Sequence, residues 1–149
     1  MLERSLSLAV ASDHAGFRLK EALTESARHW GLEVTDLGVH DPAVSADYPD
    51  LAHELAGGVA EGRFERGLLV CGTGLGMSIV ANRHRGVRAV ALSNVYSARM
   101  SRAHNNANVL CLGERVVGVG LARELLRAFL DEPYLAGRHQ GRLDKVEPG

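Results

Sequence analysis

The sequence carries no excess of basic charge: 17 Lys and Arg stand against 18 Asp and Glu, a formal net charge of −1. That balance argues against a chain that binds nucleic acid or a membrane surface, since both need a clear basic excess. Lysine itself is scarce. Fifteen of the 17 basic residues are Arg, so forked anion contacts are available wherever arginines gather. Long hydrophobic runs are missing, and none approaches the roughly 20 apolar residues of a membrane span. Residues 6–11 are too short for the hydrophobic region of an export signal, and Asp13 and His14 follow closely, so no such signal is expected. Cysteine is nearly absent, with only Cys71 and Cys111. Two cannot build a disulfide framework, and they suit a reducing, cytoplasmic compartment. No linker or low-complexity tract divides the 149 residues, which are enough for one domain with a real core.

What is present alternates short apolar runs with helical spacing. Residues 6–11 read as a buried strand. Leu19, Leu23, Ala27 and Trp30 then recur at helical spacing until Gly31, a natural stop. Residues 33–37 form a second strand, followed by a loop through Pro49. Leu51, Leu55, Val59 and Ala60 predict a helix, weakened by Gly57-Gly58. A third strand at 67–71 runs into the glycine loop 72–76 and a helix through about Asn82. Strands at 88–92 and 108–112 flank a helix at 96–103. Leu121, Leu125 and Phe129 share one face of a last helix, with Pro133 beyond it. Residues 134–149 are polar and show no core of their own. Five strand–helix repeats predict an α/β fold of three layers, a five-stranded parallel sheet between two layers of helices. Sites in such sheets lie at the carboxyl ends of strands.

Polar clusters collect at those ends: 12–16, 71–76, Ser93-Asn94 and 113–115. Two more lie elsewhere, His104-Asn105-Asn106 at a helix end and 137–142 in the tail. The glycine loop does not fit a dinucleotide fingerprint, because Met77 stands where a glycine is needed and Ser93 ends the next strand in place of an acid. The P-loop lysine is missing too, so no nucleotide cofactor is expected. A backbone cradle for an anion or oxyanion remains. Cys71 precedes that cradle; beside a helix start a thiol is primed as base or nucleophile, while a cysteine ending an apolar strand also serves as a small buried hydrophobe. Cys111, between Leu110 and Leu112, should be only that. His14 and His104 have no second ligand at metal-binding spacing, so no metal is expected. Arg138 and Arg142 read as solvated charges, or, if their segment is helical, as an i,i+4 pair suited to phosphate.

Six motifs stand in order: S-D-H-A-G-F at 12–17, D-Y-P at 47–49, C-G-T-G-x-G at 71–76, A-N-R at 81–83, S-R-x-H-N-N at 101–106 and G-R-H-Q-x-R at 137–142. From Leu8 to about Arg142 the chain resembles the ribose-5-phosphate isomerase B family of sugar-phosphate isomerases. The resemblance implies a single Rossmann-like domain over residues 1–149 and a cytoplasmic homodimer or tetramer without metal or nucleotide. It also implies interconversion of ribose 5-phosphate and ribulose 5-phosphate in the pentose phosphate pathway. By position, Cys71 would move a proton between C1 and C2. Thr73 and the loop Gly72, Gly74, Leu75 and Gly76 would hold the enediolate oxygen. Asp13 would hold sugar hydroxyls, and Tyr48 would touch substrate. His104 would open the sugar ring, with Asn105 beside it. His14, Arg138 and Arg142 would bind phosphate, joined by Arg115. The resemblance also implies that His104, Asn105 and Arg115 come from the partner subunit, with the tail 131–149 packed at that interface. One branch of the family uses a Glu base where this chain has Leu75, which leaves the cysteine branch. Galactose-6-phosphate isomerases split the motifs between two chains, whereas here Cys71, His104, Arg138 and Arg142 stand together. Allose 6-phosphate, galactose 6-phosphate or a tetrose 4-phosphate are alternative substrates, with pocket length set by residues 40–48 and the tail. A non-catalytic sugar-phosphate sensor or a thiol enzyme of redox or hydrolase type are rivals of another class.

Overall fold

The central apolar runs become strands because helices cover both their faces. In the computed structural model, which describes residues 5–149, these are β1 (Ser7–Ser12), β2 (Glu33–Asp36), β3 (Arg66–Cys71), β4 (Ala89–Ala91) and β5 (Val109–Gly113). Every neighbouring pair is parallel, in the order β2-β1-β3-β5-β4. The inner strands β1, β3 and β5 are buried almost throughout, which is why they read as continuous apolar runs rather than as alternating ones. Edge strand β2 alternates exposed and half-buried residues.

The helices are α1 (Phe17–His29), α2 (Tyr48–Ala60), α3 (Leu75–Ala81), α4 (Val95–Ala103), α5 (Val119–Asp131) and α6 (Arg138–Leu143), with a short 3-10 turn at His14–Gly16. Leu8, Val10, Leu68, Val70 and Leu110 face α1, α4 and α5 through Leu23, Ala98, Leu125 and Phe129. On the other face Ala9, Ala11, Leu69 and Cys111 meet Leu55 and Val59 of α2 and Met77 of α3. The fold is the expected three-layer α/β sandwich.

Several boundaries differ from the sequence reading. Helix α2 begins at Tyr48, not after Pro49, because proline in a first turn lacks only an N–H that would have no helical partner. Gly57-Gly58 do not interrupt it; a Cβ on Gly58 would stand 2.5 Å from the Phe64 ring, so the site favours glycine. The tail is not featureless. It folds into α6, buries His139 and is tethered by the Leu135 N–H, which donates to the Ala103 carbonyl at 3.0 Å.

One charged side chain organises the sheet edge from inside. Lys20 of α1 is fully buried, and its Nζ donates to both oxygens of Asp36 at 2.8 Å and to Glu21 at 3.1 Å. Asp36 Oδ1 also accepts the Gly38 N–H at 2.9 Å. The Gly38 carbonyl in turn accepts the Ser12 N–H at 2.7 Å. The ion pair thereby sets the segment after β2 against the carboxyl end of β1.

Topology now places the polar clusters. Strand order reverses between β1 and β3, so a crevice opens outside their carboxyl ends. Because β4 and β5 are parallel neighbours, α4 must carry the chain back to the amino edge. Residues 104–108, between α4 and β5, therefore lie at the sheet edge opposite that crevice.

Candidate active site

At the carboxyl edge, Asp13 leaves β1 with its N–H on the Val70 carbonyl at 3.3 Å. Its buried carboxylate caps the following turn, with Oδ1 accepting the N–H groups of Ala15 at 3.0 Å and Gly16 at 3.1 Å. Oδ2 keeps no partner among the described residues and is available to a ligand hydroxyl. The exposed His14 ring accepts the Ala46 N–H on Nδ1 at 3.3 Å, so the loop before α2 rests on it. When neutral, that ring carries its proton on Nε2.

Cys71 ends β3, 6% exposed, and its Sγ accepts the Gly74 N–H at 3.0 Å. Gly74 reaches that position with a φ of +82°, a left-handed conformation natural to glycine. Thr73 is exposed, and its Oγ1 accepts the Leu75 N–H at 3.3 Å. The loop lies directly on the end of β5, since a Cβ on Gly113 would come within 2.6 Å of the Thr73 Cα. Tyr48 lies over the start of α3, where a Cβ on Gly76 would meet its ring at 2.5 Å. The Glu114 N–H donates to the Cys71 carbonyl at 2.9 Å, while its Oε1 accepts the Leu19 N–H at 2.8 Å in the first turn of α1. The Arg115 N–H donates to the Gly72 carbonyl at 3.1 Å, and its Nη1 lies 3.3 Å from where a Gly72 Cβ would stand.

Within the chain Arg115 lies apart from His104 and stands beside Gly72. The reason is register: Gly113 pairs with Cys71 across β3 and β5, and Arg115 is two residues further on.

The second group occupies the amino edge. His104 ends α4, and its ring stacks on His139 of α6 with centroids 4.3 Å apart and planes 17° from parallel. Burial, then His104, Arg138 and Arg142, hold the His139 imidazole below its ordinary pKa. Arg138 and Arg142 lie four residues apart on α6, both exposed, without an ion-pair partner among the described residues. Asn105 is exposed beside His104. Arg102 supports the turn from within: its Nη1 donates to Asn106 Oδ1 at 2.8 Å and to the Ala107 carbonyl at 2.6 Å. Burial, with Arg66 and Arg88 nearby, pushes its guanidinium down to about 10.

The structure therefore gathers Asp13, His14, Tyr48, Cys71 to Gly76 and Arg115 at one edge, and His104, Asn105, Arg138 and Arg142 at the other. The four residue steps from Val109 to Gly113 separate the edges by roughly 13 Å. Cys111 joins neither group. It is fully buried in mid-strand, and burial, reinforced by Cys71, pushes its thiol far above the usual range. Among the described residues no three His, Cys, Asp or Glu side chains gather as metal ligands would, and no helix is long and apolar enough to cross a membrane. Sequence reasoning assigned no role to Lys20, Arg102 or His139. For Lys20 the only signal is a lysine beside Leu19 on the apolar side of a helix; the other two stand inside motifs already quoted.

Comparison with known proteins bears on this arrangement. The profile of the ribose/galactose isomerase family matches residues 8–146. The chain is 44% identical over 139 residues to the ribose-5-phosphate isomerase B of Escherichia coli (strain K12), covering 93% of each chain. It is 40% identical over 141 residues to the D-erythrulose-4-phosphate isomerase of Pectobacterium atrosepticum, covering 95% of this chain and 93% of that one. The ribose-5-phosphate isomerase B of Mycoplasma genitalium, solved with bound ribulose 5-phosphate, superposes with a TM-score of 0.92 at 36% identity, covering 97% of this chain and 95% of that one.

Proposed function

This chain belongs to the ribose/galactose isomerase family and is a sugar-phosphate isomerase, and we propose that it interconverts ribose 5-phosphate and ribulose 5-phosphate with Cys71 as the base. The observation that carries this reading is the seat of Cys71. Its sulfur ends an inner strand at the switch-point crevice, with the Gly74 N–H on it at 3.0 Å and Thr73 exposed alongside.

An aldose becomes a ketose when the C2 proton leaves and a proton arrives at C1. Cys71, as thiolate, takes the C2 proton, and the electron pair passes to O1 to give an enediolate. Thr73 and the N–H groups of the loop 72–76 other than those held by Cys71 Sγ and Thr73 Oγ1 stabilise that oxygen as charge develops. The proton returns from Cys71 to C1, O1 is protonated, and O2 gives up its hydroxyl proton to become the ketone. Asp13 Oδ2 holds the neighbouring hydroxyls. Ring opening, which must precede this, falls to His104, with Asn105 beside it.

Because His104, Arg138 and Arg142 lie on the far sheet edge, we assign them to the site of a second copy. Each site of the homodimer then takes Cys71, His14 and Arg115 from one chain and His104, Asn105, Arg138 and Arg142 from its partner. The exposed apolar side chains of Leu75, Ile79 and Val116, near the cysteine loop, suit the seam. Both thiols are free, which fits a cytoplasmic enzyme of pentose phosphate metabolism. The 40% identity to an erythrulose-4-phosphate isomerase supports a four-carbon substrate as the second reading. Allose 6-phosphate and galactose 6-phosphate would place the same chemistry in a longer pocket. A coupled assay across four-, five- and six-carbon sugar phosphates decides among them: ribose 5-phosphate should show the highest kcat/KM, and a tetrose or hexose phosphate above it would overturn the assignment. Absence of turnover on all of them, with tight binding retained, would indicate a sensor.

A further inference from the structure

His139 has no part in the scheme so far, yet it is the one residue of α6 that is buried, while Arg138 and Arg142 on the same short helix are exposed. Its ring lies nearly parallel to that of His104 at 4.3 Å. The turn leading into α6 is built to deliver it there. Ala136 and Gly137 both adopt positive φ, +51° and +55°, and a non-glycine residue persists in that region only where its surroundings over-determine it. The Leu135 N–H on the Ala103 carbonyl ties that turn to the residue before His104. From the other side, Arg102 grips Asn106 and Ala107. His104 is thus held between a braced turn and a flat ring.

We propose that His139 is a positioning residue whose stacked ring holds the His104 imidazole in its working orientation and ties that orientation to the arginine pair on α6. The proposal rests on the reading that His104 opens the sugar ring. A half-exposed histidine at a helix end keeps rotamer freedom that must be lost each time it acts, and a stacked partner removes that freedom in advance. The partner must also be uncharged, because a cation there would repel Arg138, Arg142 and a protonated His104. What the position requires is a flat neutral ring, so phenylalanine should serve where alanine fails.

The experiment uses the full chain as wild type, His104→Ala, His139→Ala and His139→Phe, with two readouts. Turnover of ribose 5-phosphate needs ring opening. Exchange of the C1 hydrogen of ribulose 5-phosphate with D2O, followed by NMR at saturating ketose, needs proton transfer but no ring opening, because this ketose cannot close a furanose. His139→Ala should lose about ten- to a hundredfold in turnover of ribose 5-phosphate, the scale of a misplaced catalytic group, while exchange stays within about threefold of wild type, as for His104→Ala. His139→Phe should restore turnover to within about threefold, since ring geometry and not ionisation is what it supplies. Retained exchange also shows that the variants fold. Wild-type turnover in His139→Ala with His104→Ala impaired would overturn the proposal alone, as would a Phe variant no better than Ala. A parallel loss of exchange and turnover in His139→Ala would assign His139 to general structure and likewise overturn it. Unimpaired turnover in His104→Ala would overturn the ring-opening reading and the proposal with it.

Discussion

A mixed dimer turns the roughly 13 Å between the two sheet edges into a measurable activity. On the proposed shared-site reading, Cys71 and His104 of one chain serve different substrates across that gap, and each complete site would draw on two chains. Let one chain carry Cys71→Ser and the other His104→Ala, each inactive on ribose 5-phosphate as a homodimer. In the heterodimer one site pairs intact Cys71 with intact His104, and the other pairs both lesions. About half of wild-type activity per heterodimer should return, and random mixing, in which about half the dimers are mixed, should give about a quarter. Two affinity tags allow the heterodimer to be isolated, and a coupled assay for ribulose 5-phosphate reads the result. The position of Arg115 beside Gly72 adds a second arm. Pairing Cys71→Ser with Arg115→Ala should restore no fully intact site, because both residues belong to the same half. A verified heterodimer without activity in the first arm would refute the shared site. Full recovery to about half in the second would assign Arg115 to the partner's half of the site.

Two further perturbations test the supporting structure. Arg138→Ala and Arg142→Ala should each raise KM steeply, by about 2–5 kcal/mol of lost phosphate binding, with part of the loss in kcat because remote binding energy helps align the reacting carbons; a KM within about twofold of wild type would remove that arginine from the phosphate site. Asp36→Ala strips the fully buried Lys20 of its bidentate partner and, among the described residues, leaves only the exposed Glu21, so urea unfolding should show a loss of about 3 kcal/mol, and a loss under about 1 kcal/mol would mean that water or rearrangement replaces the pair.

The fold was legible because β1, β3 and β5 are buried on both faces and carry unbroken apolar runs through their middles, and because α1 and α5 carry their apolar residues at helical spacing. α6 left little pattern: six residues with a single buried side chain make too short a period to detect. The start of α2 was misplaced because proline looks like a loop residue until its first-turn position is known. Cys71 and Asp13 could be placed from the rule that sites collect at carboxyl strand ends. The separation of His104 from them follows from the strand–helix–strand path, whereas the company of Arg115 follows from the pairing of β3 with β5. That pairing is tertiary: β5 inserts between β3 and β4, which no local spacing records. Lys20 was missed for the same reason, since its partner lies on another element and only packing makes the charge tolerable.

Proton transfer by Cys71 is tested most directly by C1-hydrogen exchange of ribulose 5-phosphate in D2O with Cys71→Ser, beside Cys111→Ser as control. A serine hydroxyl is far too weak a base near neutral pH. Exchange in Cys71→Ser should therefore fall by about a thousandfold or more, while inhibition by inorganic phosphate barely changes. Cys111→Ser, in the fully buried mid-strand site, should exchange at the wild-type rate and differ only in stability. Exchange by Cys71→Ser within about tenfold of wild type would show that another group moves the proton.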